Sequence, residues 1–260
     1  MTRSILSVVA IVALAPLGCQ SVEKPAPVGG EDVSQHAEPS WGYEPHNGPE
    51  HWGTLDPAFS VCSTGEEQSP IDLTAGRNAD PIAIEFEYPR TRIAIENNGH
   101  TIQVNPDPGR GIVLNGVRFH LLQFHFHHAS EHTVDGIQFP LEMHLVHRND
   151  GGSLAVVGVL FQEGPANDAL APVWAHLPTE QTAPDVIPGE LDLASLLPAA
   201  RTTWRYRGSL TTPPCTEGVN WIVLTEPLTM SPEQIAAFGA IYPNNFRPVQ
   251  PLGKRVLDCG

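Results

Sequence analysis

The chain has 260 residues, with 14 Lys and Arg against 29 Asp and Glu, a formal charge of −15, 41% apolar residues, 12 His and 4 Cys. That apolar content excludes a fully disordered chain and leaves material for a sizeable core, in one large domain or two small ones. A charge of −15 argues against nucleic acid or anionic lipid as partners, while 23 Gly and 26 Pro predict many turns and little long helix.

Residues 1–19 open with Arg3 and continue through an apolar stretch from Ile5 to Leu14. The stretch is too short to span a bilayer and has the form of a secretory signal. Leu17-Gly18-Cys19 resembles the end of a bacterial lipobox, which makes Cys19 a lipidation candidate, although Pro16 stands where Leu is usual. Soluble export with cleavage after Ala13-Leu14-Ala15 is the rival, disfavoured by Pro16 next to the cut, and a retained anchor is the third option. Residues 20–40 are rich in Pro, Gly, Ser and Glu and read as a flexible tether. Folded sequence is expected from Trp41 onward as one domain, 41–260. The expected location is periplasmic, or lipid-anchored at a bacterial cell envelope.

An exported chain lives where disulfides persist. With Cys19 set aside, Cys62, Cys215 and Cys259 remain. Cys259 is the next-to-last residue, where order is poor. Cys62–Cys215 is therefore the preferred pair, worth roughly 4–5 kcal/mol on the chain-entropy model. Three free thiols are the alternative.

From Pro81 the chain alternates, with Ile82, Ile84, Phe86 and Tyr88 separated by Ala83, Glu85 and Glu87. Further strand-like runs lie at Arg92–Glu96, Thr101–Asn105, Ile112–Leu114, Val117–His128, Leu141–His147, Leu154–Phe161, Trp204–Tyr206 and Val219–Leu224. Leu154–Phe161 is apolar on both faces, which predicts a central strand covered on both sides. Ser231-Pro232-Glu233-Gln234 carries a capping box with Pro at the first helical position, and Gly239 ends that helix. Pro165–His176 holds room for another short helix. The coarse reading is one mainly β domain with a large sheet.

Seven of the twelve His fall between His120 and His147. In a strand, Gln123, His125 and His127 share one face and Phe124, Phe126 and His128 the other. His125 and His127 then sit roughly 6–7 Å apart along the strand, close enough to converge on one metal ion. In the next run, Leu141, Met143 and Leu145 form an apolar face, and Glu142, His144 and Val146 form the opposite one. If the two strands are neighbours, His144 joins as a third ligand. Three neutral imidazoles suit zinc, and a fourth position left open to water marks a catalytic site. Gln123 and Glu142 share the ligands' faces and are suited to bond their second ring nitrogens. A lone strand His is more often structural, and His-x-His arises by chance; two His plus a same-face Glu-x-His one strand later is a rarer coincidence. A cupin is the pattern's main rival, since His125-x-His127-x-x-x-Glu131 fits its first motif. The second cupin motif is absent around His144, where Arg148 holds the place of Asn.

Gln-Phe-His-Phe-His (123–127), Ser-Glu-His-Thr-Val (130–134) and Glu-Met-His-Leu-Val-His (142–147) resemble the signature of the α-class carbonic anhydrases. The resemblance runs from Trp41 to about Arg255. It takes in Gln68-Ser69-Pro70, Asn97-Asn98-Gly99-His100, Ser209-Leu210-Thr211-Thr212-Pro213-Pro214 and Arg247-Pro248-x-Gln250-Pro251-Leu252. It implies a large, mostly antiparallel central sheet with a few short helices, and reversible hydration of CO2 to bicarbonate and a proton by hydroxide on one zinc ion. By the resemblance His125, His127 and His144 are the zinc ligands, oriented in part by Gln123 and Glu142. Thr211 passes a hydrogen bond to Glu131 and aims the nucleophile, and His100 is the proton shuttle. Val146, Val156, Leu210, Thr212 and Trp221 line the substrate pocket, with Tyr43, Asn98 and Gln103 on its wet side. The resemblance also implies inhibition by anions and sulfonamides, supports the Cys62–Cys215 bridge, and leaves a homodimer open. His128, His132 and His147 are expected as hydrogen-bonded core groups. His128 stands where vertebrate members have Trp, and Gln103 replaces a commoner Asn. A surface binding module with little catalysis is the alternative from another class, motivated by the tether and the acidic charge.

Overall fold

The computed structural model describes residues 41–74 and 76–260. The proposed leader, Cys19 and the tether lie outside the described residues. Among the described residues no helix is long and apolar enough to cross a membrane.

The strands that organise the molecule are β1 (Arg77–Asn78), β2 (Thr91–Asn97), β3 (Ile102–Asn105), β4 (Val117–His127), β5 (Leu141–Arg148), β6 (Leu154–Glu163), β7 (Asp185–Leu191), β8 (Thr203–Ser209), β9 (Glu217–Leu224) and β10 (Asp258–Cys259). They form one sheet in the order β7-β2-β3-β4-β5-β6-β9-β8-β10-β1. Short strands Ile84–Glu87 and Gly111–Leu114 extend it beside β4, and Leu228–Met230 pairs with β6. Most pairings are antiparallel, as expected. The parallel ones are β6 with β9, β6 with Leu228–Met230 and β10 with β1. β6 sits mid-sheet and is buried along most of its length, which is why LAVVGVLF needs no polar face.

The two faces of the sheet carry different cores. Ile93, Val104, Phe124, Phe126, Met143, Leu145, Val157 and Ile222 belong to the larger one. Val156, Leu160, Tyr206, Trp221 and Val223 belong to a smaller one on the opposite face. The strand period of two thus puts Phe124 and Phe126 into the large core and turns Gln123, His125 and His127 the other way.

Besides the short strands Arg77–Asn78, Leu228–Met230 and Asp258–Cys259, which no run of the sequence announced, β7 and the end of β4 differ from the sequence reading. β7 carries Pro188 and Gly189, which hide its alternation; it is tolerated at the sheet edge, with a register shift between Ile187 and Glu190. β4 stops at His127, because the His128 N–H leaves the ladder and donates to Asn245 Oδ1 (2.8 Å). The His128 ring is not a hydrogen-bonded core group either: its Nδ1 is buried without a partner among the described residues. The ring instead packs on the helix Pro232–Gly239, where a Cβ on Gly239 would lie 2.8 Å from His128 Nε2. That helix has the expected capping box, Ser231 Oγ receiving the Gln234 N–H and Gln234 Oε1 the Ser231 N–H. Pro165–His176 resolves into a 3-10 turn, Asp168–Leu170, and a one-turn helix, Ala171–Trp174.

Candidate active site

β4 and β5 are antiparallel neighbours, and their register sets His144 directly opposite His125. The ligand-capable atoms of His125, His127 and His144 all lie within 4.8 Å of one another. Each imidazole is held by one nitrogen, leaving the other for a metal. His125 Nδ1 bonds Gln123 Oε1 (2.8 Å), His127 Nδ1 bonds the Asn245 carbonyl (2.8 Å), and His144 Nε2 bonds Glu142 Oε1 (2.9 Å). The free atoms are therefore Nε2, Nε2 and Nδ1. Among the described residues His127 Nε2 is buried with no hydrogen-bond partner, a costly arrangement that a metal ion would relieve. Burial lowers the pKa of all three rings, that of His127 to about 4, so each is neutral and able to ligate at pH 7. Three neutral imidazoles with fixed tautomers fit zinc.

Glu142 anchors this arrangement. Its Oε1 bonds both His144 Nε2 and His132 Nδ1 (2.7 Å), and its Oε2 accepts from the N–H groups of Glu131 (2.9 Å) and His132 (2.8 Å). Burial alone would raise its pKa, yet the adjacent His132 and His144 pull it well below the usual carboxylate range. His132 continues through Nε2, which accepts from the Tyr206 hydroxyl (2.7 Å), and Ser69 Oγ lies 2.9 Å from that hydroxyl. His132 and His147 are thus bonded core groups, His147 meeting Tyr88 Oη at 2.8 Å.

Glu131 stands beside the triad, its Oε2 3.6 Å from His127 Nε2 and 3.8 Å from His144 Nδ1, but it is not part of the set that converges with His125. Its Oε1 accepts the Arg247 N–H (2.9 Å), while Oε2 is buried and has no hydrogen-bond partner among the described residues. Burial raises its pKa to about 7; the neighbouring His144 ring, the Thr211 side chain and the Arg247 N–H act in the other direction. Thr211 is buried in the turn after β8, which the Cys62–Cys215 disulfide ties to the N-terminal helix Val61–Thr64. The Cys215 N–H closes that turn on the Thr212 carbonyl (2.9 Å).

The apolar side of the site follows from register. Val146 lies opposite Val156, and Val156 opposite Trp221, on three adjacent strands. Leu210 packs against the same cluster, and the Trp221 ring lies edge-on to His144 with centroids 4.8 Å apart. On the neighbouring strand β3, Gln103 is opposite His125 and bonds Glu96 and Asn105. Asn98 closes its turn by accepting the N–H groups of His100 and Thr101. Tyr43 is raised well above its usual pKa by burial and by the charge of Glu131. His100 is half-buried and stacked on Trp41, centroids 3.7 Å apart, and burial lowers its pKa.

Two residues of the site carry no sequence signal of their own. Asn245 supplies a backbone carbonyl, which any residue type could. Arg247 is buried, giving its guanidinium to Cys62 O, Ser69 O and Gln68 Oε1. Only the Arg-Pro motif hinted at the second.

Three histidines that converge from two neighbouring strands of a large β-sheet, beside a wall of Val and Trp, form a donor set that could hold a metal ion. The family model for eukaryotic-type carbonic anhydrase matches residues 47–259. The carbonic anhydrase of Pectobacterium carotovorum is 46% identical over 220 residues, 84% of this chain and 89% of that protein. That of Nostoc sp. is 43% identical over 224 residues, covering 84% and 85%. Among solved structures, the α-carbonic anhydrase of Thermovibrio ammonificans in complex with sulfanilamide superposes with a TM-score of 0.83 at 43% identity, over 85% of this chain and all of that one. The chain belongs to the α-carbonic anhydrase family. It is an enzyme of that family's type, a carbonic anhydrase.

Proposed function

We propose that the chain binds one zinc ion through His125 Nε2, His127 Nε2 and His144 Nδ1, and that it interconverts CO2 with bicarbonate and a proton. The observation that carries this reading is the triad itself: three neutral imidazoles, each with its second nitrogen committed and its first free. Bound zinc supplies a Lewis acid that lowers the pKa of water to about 7, as is established for carbonic anhydrases generally.

The chain's own residues then set the geometry. Thr211 accepts a hydrogen bond from the attacking oxygen and donates to Glu131, whose unpaired Oε2 is the acceptor this requires. A nearby dication draws Glu131 below its pKa of about 7, so it acts as carboxylate. Val146, Val156, Leu210 and Trp221 offer a dry wall beside the triad for CO2, which carries no net dipole, with Thr212 at its edge. Tyr43, Asn98 and Gln103 order water on the opposite side, and His100 takes the released proton. Its lowered pKa keeps the ring neutral at pH 7, the form that accepts a proton. The Thr211 N–H is suited to contact inhibitory anions, and a primary sulfonamide such as sulfanilamide is expected to inhibit.

Residues 1–19 act as an export signal with Cys19 as lipidation candidate, 20–40 as tether, and 41–260 as the catalytic domain. The Cys62–Cys215 bridge supports an oxidising compartment. Stopped-flow CO2 hydration tests the reading. His144→Ala is expected to lose both zinc and activity, and hydration surviving in that variant would overturn the site.

A further inference from the structure

We infer that the Asn245 side chain is a positioning residue for proton export, pinning the turn that carries His100 to the strand that carries His125 and His127. The inference rests on His100 as the proton relay. Asn245 is only 1% exposed. Its Nδ2 donates to the carbonyls of His100 (3.1 Å) and Phe126 (3.1 Å), and its Oδ1 accepts the His128 N–H (2.8 Å). The amide has one orientation that satisfies these partners, because two are obligate acceptors and one an obligate donor.

The placement of those partners gives the inference its content. Phe126 lies between His125 and His127, and its carbonyl also receives Thr101 Oγ1 (2.5 Å), the residue after His100. Two side chains, one from each flank, therefore meet on a single carbonyl of the ligand strand. The relay turn is closed from its other side by Asn98 Oδ1, which takes the His100 and Thr101 N–H groups, with Gly99 at φ +91° supplying the left-handed residue. The ring of His100 then has a fixed backbone below it and Trp41 stacked against it. A buried amide is costly unless bonded. All the bonds of this one end on the relay turn, the ligand strand or His128, the residue that follows it. This role is separate from that of the Asn245 backbone carbonyl, which holds His127 Nδ1 whatever the side chain.

Asn245→Ala keeps that carbonyl and removes the three side-chain bonds. The zinc-loaded enzyme is assayed by stopped-flow hydration at low buffer and again with a high concentration of imidazole as a diffusible proton acceptor. The expected result is a kcat lower by about 10-fold at low buffer, since small misplacement of a reacting group is costly. Imidazole restores kcat, while kcat/KM and zinc content stay within about two-fold of the parent. Combined with His100→Ala, the substitution is expected to cost nothing further. Parent-like kcat, or kcat and kcat/KM falling together with zinc and without rescue, overturns the inference. His100→Ala separates the two levels. If it keeps parental kcat, the relay reading has failed and takes this inference with it; if it loses kcat and Asn245→Ala does not, this inference alone fails. Should Asn245→Ala not fold, Thr101→Val removes the other bond to the Phe126 carbonyl at nearly constant shape. The same imidazole-restored loss is expected there, and parental kcat would overturn the inference.

Discussion

Replacing Glu142 with Gln exchanges one oxygen for NH2 and leaves size unchanged, yet it strikes the hydrogen-bond arithmetic behind the triad. The carboxylate accepts four bonds: His132 Nδ1 and His144 Nε2 on one oxygen, the Glu131 and His132 N–H groups on the other. An amide has a single accepting oxygen. The backbone donors cannot change tautomer, so the amide oxygen must face them and its NH2 must face the two imidazoles. His132 can adapt by moving its proton to Nε2 and donating to Tyr206. His144 can adapt only by moving its proton to Nδ1, the atom left for the metal. Either that ring gives up its ligand atom, or a buried N–H stands against an NH2 at a cost of about 1–3 kcal/mol. Zinc affinity should fall about 10- to 100-fold, the range usual for lost partners of ligating histidines. Competition with a fluorescent chelator at pH 7.5 measures it, with the fold checked by circular dichroism. Affinity within about three-fold of the parent in a folded variant would refute the reasoning.

The remaining predictions concern stability. Burial pins His147 at about 3, against about 6.5 in the unfolded chain. The unfolded state therefore binds more protons below pH 6.5, and this group's contribution, complete above that pH, is lost as pH falls toward 3. His147→Gln should flatten the acid limb, narrowing the loss of stability between pH 7 and 5 by about 2 kcal/mol in denaturant titrations; an unchanged limb would refute the assignment. Arg247→Ala leaves three buried acceptors without donors, so unfolding free energy should drop by at least ~3 kcal/mol, and a drop under ~1 kcal/mol would show that the guanidinium is dispensable. Removing the Cys62–Cys215 bridge, whose ends are 153 residues apart, should cost roughly 4–5 kcal/mol on the chain-entropy model. It should also weaken hydration through the Thr211 turn, and a reduced enzyme with parental midpoint and rate would contradict both.

What could be read from the sequence was what side-chain periodicity writes. Alternation placed β4 and β5, and the same alternation put Phe124 and Phe126 in the large core and His125 and His127 on the opposite face. The opposition of His125 and His144 needed only that those strands be neighbours. Elements that obey another rule were lost. β7 breaks its pattern with Pro188 and Gly189 because an edge strand tolerates a missing donor and a bulge. The parallel pairing of β6 with β9 leaves no local signature, since it depends on a crossover. Asn245 reaches His127 across 118 residues through a backbone carbonyl, and no residue type announces that contact. His128 reads as one more member of a histidine run, yet the strand ends before it and its ring packs on Gly239.

Under the proposed function, three histidines hold one zinc ion that makes this chain a CO2 hydratase. Metal analysis of the purified protein, coupled to stopped-flow hydration before and after chelation, tests it most directly. One zinc per chain is expected, with hydration that disappears with the metal and recovers when zinc is returned. Hydration that persists in metal-free protein, or zinc-loaded protein that leaves CO2 untouched, would contradict it.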